Sequence, residues 1–252
     1  MPSNIGPDLT GHIACVTGAS SGLGRRAALV LSQAGAKVVT VARRADALAE
    51  LAAEANGPVA EVAHDLADRN GLNELAERVT APFGSPDILV HAAGINTRET
   101  ADDVTPEGWD VTLNLNLAVP FFLSQKLVPG MRANGWGRIV NFTSLQSHRA
   151  FPGGLSYGAS KGGVSQMTRA MAEAWSRDGI MVNAIGPGFF RTELTAAVFN
   201  DPERAARNAE QTCIGRNGEL GDLDGPLLFF CSDACQYVTG QILMVDGGFT
   251  AK

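Results

Sequence analysis

The chain has 252 residues, 45% of them hydrophobic and 18% charged, with 29 glycines, which is enough to bury a sizeable core and excludes a peptide hormone, a disordered tail and a disulfide-stapled mini-domain. Twenty Lys and Arg against 26 Asp and Glu give a net charge of −6, the wrong sign for a general nucleic-acid or anionic-membrane binder. No uninterrupted apolar stretch approaches the roughly 20 residues that span a bilayer, and no basic start precedes an apolar block, so a cytoplasmic chain without nucleic-acid or membrane partners is expected.

Taken in order, short β-branched runs alternate with longer stretches of helical period. Strands are predicted over 12–17, 37–41, 59–63, 87–91, 138–142, 181–184 and 242–245. The first run leads through Thr17-Gly18-Ala19-Ser20-Ser21-Gly22-Leu23-Gly24 into a helix over 23–34 that stops at Gly35. The second ends at Ala42-Arg43-Arg44, and a helix over 45–55 carries Leu48 and Leu51 at helical spacing before Asn56-Gly57. Asp65 and Leu66 follow the third run, where Asp65 is also a good cap for the next helix. Thr105-Pro106-Glu107 reads as a cap with proline at the first helical position, opening a helix to about residue 134 with a kink at Pro120. A further helix is predicted over 155–177.

This alternation is what a parallel sheet covered by helices on both faces requires. The expectation is therefore an α/β fold, a doubly wound, seven-stranded parallel sheet of Rossmann type, in a single domain over 1–252. No linker, charge block or repeat divides the chain. The least regular segment, 186–221, follows the end of a strand, where a doubly wound sheet binds its ligands, and is expected to cover the substrate.

Four features carry chemistry. The glycine-rich turn sits between a strand and a helix, so its backbone can approach a pyrophosphate at a helix N-terminus, which reads as a dinucleotide site. Through Ala45 five cations (Arg25, Arg26, Lys37, Arg43, Arg44) face one acid, Asp8, inside an acidic protein, so an anion can sit nearby; Arg25 and Arg26 can equally solvate a helix face. Tyr157 and Lys161 stand one turn apart on one helix, so an ammonium can lie near a phenol and draw its pKa down from about 10. Ser144 follows the fifth run at the ligand edge of the sheet and can donate to a substrate oxygen. Cys15, Cys213, Cys231 and Cys235 make no paired C-x-x-C and His12, His64, His91 and His148 no metal-binding spacing, so reduced thiols and no metal site are expected, with His91 a core imidazole.

The spacing T-G-x-x-x-G-x-G, Asp65, Ala92-Ala93-Gly94, Asn116-Leu117-Ala118-Val119-Pro120-Phe121, Ser144, Tyr157-Gly158-Ala159-Ser160-Lys161, Pro187-Gly188 with Thr192, and Val245-Asp246-Gly247-Gly248 together resemble the short-chain dehydrogenase/reductase family over essentially the whole chain. The resemblance implies an NAD(P)-dependent oxidoreductase that interconverts a secondary alcohol and a ketone. In it Ser144 would polarise the carbonyl, Tyr157 supply the proton, Lys161 also hold the nicotinamide ribose, and Asn116 position a water; Asn114 is a rival for that last role, though the run from Asn116 matches the family pattern better, and Asn116 can also be a buried amide bonding to backbone. It further implies cofactor contacts from Gly18, Ser20, Ser21, Gly22, Leu23, Gly24, Arg43, Asp65 (at the adenine), Leu66, Ala93, Gly94, Tyr157, Lys161, Pro187, Gly188 and Thr192, and a homotetramer. One departure stands out: where the family often reads N-N-A-G this chain has His91-Ala92-Ala93-Gly94.

The stretch between Ser144 and Tyr157 must border the substrate, which places Gln146 and Arg149 as substrate contacts beside Ser144 and Tyr157, with Arg98 and Arg191 as further cations. Arg149 is expected to pair with a substrate carboxylate. Residues 144–147 and 186–195 are similar to the gluconate 5-dehydrogenase branch of sugar-acid dehydrogenases, with 3-oxoacyl-carrier-protein reductases as the alternative and a catalytically idle dinucleotide-binding subunit as a third reading. The second strand ends without the acid that would accept from a ribose 2′-hydroxyl and carries Arg43 instead, which favours NADP over NAD. Against this, Ser21 replaces a second cation, and Arg43 can stack on adenine.

Overall fold

Seven strands pair in parallel in the computed structural model, which describes residues 7–252; the first six residues of the expected 1–252 domain lie outside the described residues. They are β1 (Ile13–Thr17), β2 (Lys37–Ala42), β3 (Val59–Ala63), β4 (Ile88–His91), β5 (Gly137–Phe142), β6 (Ile180–Pro187) and β7 (Ile242–Val245), in the order β3-β2-β1-β4-β5-β6-β7. The order reverses between β1 and β4, so the crevice beyond their carboxyl ends is where such a sheet binds ligands.

The strands are apolar on both faces because both faces are covered. Ala14, Val16, Val38, Ile88 and Val90 enter one core with Ala27 and Leu31 of helix α1 (Gly22–Gln33), Leu48 and Leu51 of α2 (Ala45–Glu54), and Leu227 and Phe230 of a C-terminal helix, Asp224–Cys231. Their neighbours Cys15, Val39 and Leu89 enter the other core. There they meet Leu75 and Val79 of α3 (Leu72–Thr80), and two long helices that follow β4 and β5. Alternation at period two thus feeds two apolar cores from one strand.

The long helical stretch after β4 is α4 (Pro106–Leu113), a π-helical turn over Asn114–Ala118, and α5 (Val119–Asn134). Thr105 caps it as its sequence suggests, its side chain accepting from the Gly108 N–H at 3.0 Å. The break falls where Pro120 predicts it: proline has no N–H for the carbonyl four residues back, that of Asn116, and the ladder widens, with Val119 N–H reaching Asn114. α6 (Leu155–Trp175) follows β5. Both long helices bury part of their apolar surface, Val119, Leu123 and Leu127 on α5 and Val164 and Met171 on α6, while Phe122 stays 38% exposed.

Segment 186–221 is more regular than its composition suggests. β6 runs on to Pro187, and two helices follow, α7 (Ala196–Phe199) and α8 (Pro202–Glu210), before the Asp224–Cys231 helix, α9. The Asp201 side chain caps α8 by accepting from Arg204 N–H at 3.0 Å, with Pro202 at its first position. Among the described residues no helix is long and apolar enough to cross a membrane, no group of His, Cys, Asp and Glu is placed to hold a metal ion, and all four cysteines are free.

Candidate active site

A cavity of about 810 Å³ runs past the carboxyl ends of β1 to β6, from Arg43 at one end to Ser144 and Tyr157 at the other. Gly18, Ser20, Ser21, Gly22, Leu23, Gly24, Arg43, Asp65, Leu66, Ala93, Gly94, Ser144, Gln146, Tyr157, Lys161, Pro187, Gly188 and Thr192 all line it. Residues scattered over 175 positions of sequence therefore meet in one crevice because each follows the end of a strand in a parallel sheet, as Gly18, Arg43, Asp65, Ala93, Ser144 and Pro187 do.

The glycine turn is built for close approach. Gly18 has φ +69°, and a Cβ there would lie 2.6 Å from the Ala93 nitrogen; at Gly24 it would lie 2.3 Å from the Gly18 carbonyl oxygen. The turn opens α1, whose N-cap Ser21 makes no side-chain capping bond and whose first turn holds no acid. Backbone N–H groups at the positive end of that helix dipole therefore face the cavity, a donor set that fits a pyrophosphate. Asp65 is not the cap of the following helix: its carboxylate accepts from Ala67 N–H at 3.1 Å, while Asp68 accepts from Asn70 N–H and takes the capping part.

The N-terminal cations are divided among acids from later in the chain. Arg25 meets Glu54 at 2.6 Å, Arg26 pairs with Asp224, and Arg44 pairs with Glu193 at 2.9 Å. Among the described residues Arg43 has no acidic partner, and it faces the cavity from the end of β2.

At the other end, Ser144 Oγ accepts from Gln146 N–H at 3.1 Å, which leaves its own hydrogen to donate to the Tyr157 oxygen or to a substrate oxygen beside it. Lys161 is buried and its Nζ donates to the Phe142 carbonyl at 2.7 Å, 5.7 Å from the centre of the Tyr157 ring. Burial holds the ammonium pKa down to about 8. The Tyr157 phenol departs from the sequence expectation, because in this environment its pKa is raised rather than lowered. Burial pushes it up, and a hydrogen bond with Ser144 and the Arg98 guanidinium pull against that without overcoming it.

Asn116 lies behind the cavity wall, 1% exposed. Its Nδ2 donates to the Ile95 carbonyl at 2.9 Å and to Ser160 Oγ at 3.0 Å, and its Oδ1 accepts from Ile95 N–H at 2.9 Å. Both amide hydrogens are spent on protein, so the side chain clamps the backbone at Ile95 and ties it to α6. His91 is the buried imidazole expected: Nε2 meets Ser124 Oγ at 2.9 Å, and burial followed by the Lys161 charge lowers its pKa to about 3.

Arg149 is the clear misplacement. It lies outside this cavity, its Nη2 donating to the Lys252 carbonyl at 2.6 Å and its guanidinium 5.7 Å from the Phe249 ring centre, so the chain between Ser144 and Tyr157 turns it toward the C-terminal end. Arg191 is likewise directed elsewhere, over the Phe199 ring at 4.9 Å. Arg98 is the cation that does reach the site. It lines the cavity and is the one non-glycine residue with positive φ (58°) among those described. Arg44, one of the cations noted in the sequence, also lines the cavity, and Glu193, Arg204, Asn208 and Gln211 join it from segment 186–221, where no motif marks them.

The family described as enoyl-(acyl carrier protein) reductase matches residues 18–250. The gluconate 5-dehydrogenase of Gluconobacter oxydans is 38% identical over 247 residues, covering 97% of this chain and 96% of that one. The 3-oxoacyl-[acyl-carrier-protein] reductase of Thermotoga maritima is 35% identical over 244 residues, covering 95% and 98%. The structure of a gluconate 5-dehydrogenase from Burkholderia cenocepacia, solved with NADP and tartrate, superimposes with a TM-score of 0.92 at 34% identity, covering 97% of each chain. With the parallel sheet, the glycine turn and the Ser144, Tyr157 and Lys161 end of the cavity in place, the chain belongs to the short-chain dehydrogenase/reductase family, oxidoreductases that act on CH–OH groups with NAD(P).

Proposed function

We propose that the chain is an NADP-preferring dehydrogenase that interconverts a secondary hydroxyl and a ketone in a small polyhydroxy acid. The observation that carries this reading is one cavity with a free Arg43 at the β2 end, Ser144 and Tyr157 at the other, and Arg98 close enough to Tyr157 to bias its ionisation. The dinucleotide, when bound, supplies or accepts the hydride. Gly18, Ser20, Gly22, Gly24 and the first turn of α1 would hold its pyrophosphate, Arg43 a 2′-phosphate, Asp65 and Leu66 the adenine side, and Gly94, Lys161, Pro187, Gly188 and Thr192 its nicotinamide half.

This chain's residues then manage the proton. Ser144 donates to the reacting oxygen. Tyr157, its pKa raised by burial, holds its proton at neutral pH and is suited to giving it to a ketone oxygen. Lys161, with a lowered pKa, exchanges protons readily with its surroundings behind that phenol. The polar specificity follows from the walls: Gln146 Oε1 and Asn208 Nδ2 are buried without a protein partner and line the same cavity, an acceptor and a donor that a polyol would satisfy. Arg98 is the partner for the carboxylate, the part the sequence gives to Arg149. α7 and α8 close over this end as a cover. We also propose a cytoplasmic enzyme, which its free thiols support, and a homotetramer joined through the α5 and α6 surfaces, where Phe122 is exposed and Phe121 stacks on Trp175 at 6.3 Å.

The test compares D-gluconate oxidation with NADP against reduction of an acetoacetyl thioester with NADPH. Gluconate or a related sugar acid should give the higher kcat/KM, and Arg98→Ala should raise its KM about tenfold while Arg149→Ala leaves it unchanged. Better turnover of the thioester would replace this reading with that of an acyl-carrier-protein reductase.

A further inference from the structure

The cofactor end of the cavity contains an ion pair that no part of the dehydrogenase chemistry uses. β2 is followed by Arg43 and Arg44, and it is Arg44 that turns back over the glycine turn. Its Nη1 and Nη2 donate to Glu193 Oε1 and Oε2 at 2.9 and 3.0 Å, a two-pronged pairing, and its Nε and Nη2 lie 3.3 and 3.1 Å from Ser20 Oγ. The same carboxylate accepts from Ser21 Oγ at 3.0 Å. Glu193 comes from segment 186–221, one residue after Thr192. Its carboxylate therefore binds across the mouth of the crevice, bridging the glycine turn, the end of β2 and the chain that leads into α7.

That position is where a dinucleotide fold reads the ribose 2′ position. A planar carboxylate held by two guanidinium nitrogens and a serine hydroxyl makes the contacts that a phosphate would make there. The pair is also built to exchange: its side chains are 50% and 64% exposed, and exposed ion pairs of this kind are weak. A phosphate of nearly two negative charges would compete for Arg44 and repel Glu193, whereas an unphosphorylated ribose does neither.

We propose that Glu193 is a cofactor-selectivity residue, an internal stand-in for the 2′-phosphate that must surrender Arg44 when a phosphorylated dinucleotide binds. Release of Glu193 also unfastens the start of segment 186–221 from the glycine turn, so the exchange couples cofactor recognition to the chain that covers the substrate end. The proposal rests on the dinucleotide site described above and adds a second arginine, and its intrinsic competitor, to Arg43.

The test uses adenosine fragments that cannot react. Calorimetric titration of the full chain with 2′,5′-ADP and with 5′-AMP is compared for the wild type, Glu193→Gln, Arg44→Gln and the double variant. Glu193→Gln is isosteric at an exposed position, removes the charge and turns one of its two acceptor oxygens into a donor. It should bind 2′,5′-ADP about 2- to 5-fold more tightly, the range an exposed pair is worth, with 5′-AMP affinity unchanged. Arg44→Gln should weaken 2′,5′-ADP about 5-fold or more and reduce the gain from Glu193→Gln to the part owed to simple repulsion. A wild type that prefers 2′,5′-ADP while Glu193→Gln leaves its affinity unchanged overturns the exchange and leaves the NADP preference standing. Equal affinity for both fragments in the wild type and in Glu193→Gln overturns the exchange and the preference together.

Discussion

Replacing Lys161 by methionine should inactivate the enzyme and, at neutral pH, make the ligand-free protein more stable. Lys161 is buried with one protein hydrogen bond, to the Phe142 carbonyl, and its pKa falls from 10.5 to about 8 because burial disfavours the ammonium. That difference of about 2.5 units, at 1.36 kcal/mol each, is a cost of about 3 kcal/mol to the folded state below pH 8. Methionine fills much of the same volume without the charge but strands the Phe142 carbonyl, which returns about 1 to 2 kcal/mol. The net gain is about 1 to 2 kcal/mol, or about 2 to 8 °C in Tm for a chain of this size. The sign of the pH dependence follows from which state holds the proton. Between pH 8 and 10.5 the unfolded lysine stays protonated while the folded one is neutral, so wild-type stability contributed by this group rises with pH. About 2 kcal/mol of the cost has gone by pH 9.5, and the advantage of the variant should vanish there. Thermal denaturation of both proteins without cofactor at pH 7 and 9.5 checks this. A wild type more stable than Lys161→Met at pH 7, or a difference independent of pH, would refute the reasoning.

Asn116→Ala removes three hydrogen bonds and strands the Ile95 N–H and carbonyl, so it should cost about 2 to 4 kcal/mol and lower Tm by about 5 to 15 °C; an unchanged Tm would mean the clamp is not made. Gly24→Ala puts a Cβ 2.3 Å from the Gly18 carbonyl oxygen, and fluorescence titration should show NADPH and NADH affinity falling together by at least about tenfold. Because the Tyr157 pKa is raised, ketone reduction should hold its rate through neutral pH and fall in alkali, while alcohol oxidation, which needs the phenolate, should rise with pH; pH–rate profiles in both directions read this out.

The sheet was legible in the sequence because period and punctuation are local properties. Leu48 and Leu51 mark a helix face, Gly35 a stop, and short β-branched runs such as Lys37–Ala42 between such stops read as strands buried on two sides. The glycine turn and the Tyr157 and Lys161 pair were legible for the same reason: each is a short motif whose geometry is fixed by its own element. What escaped depends on contacts between distant segments. Arg149 and Arg98 look equivalent as letters. Their fates were decided by backbone conformation, Arg98 held at positive φ with its carbonyl beside Gly153, where a Cβ would come within 3.2 Å. Arg44 could not be separated from Arg43 without Glu193, 149 residues away. α8 was hidden because its one apolar stripe, Pro202, Ala205, Ala206 and Ala209, is short, made of small residues and buries none of them, in a segment that already reads as a loop. The direction of the Tyr157 shift was misjudged because spacing on a helix brings Lys161 near but says nothing of burial, which outweighs the nearby charges.

The central claim is that Tyr157 transfers the proton at a site where binding and chemistry are separable. The direct measurement is Tyr157→Phe, compared with the wild type in turnover of its best ketone or alcohol substrate and in NADPH affinity by fluorescence titration. The phenyl ring keeps the buried packing and loses only the hydroxyl, so turnover should fall by roughly 10²- to 10⁴-fold with NADPH affinity within about twofold of the wild type. Turnover close to the wild-type rate in the phenylalanine variant would contradict the claim and return the proton transfer to another group in the cavity.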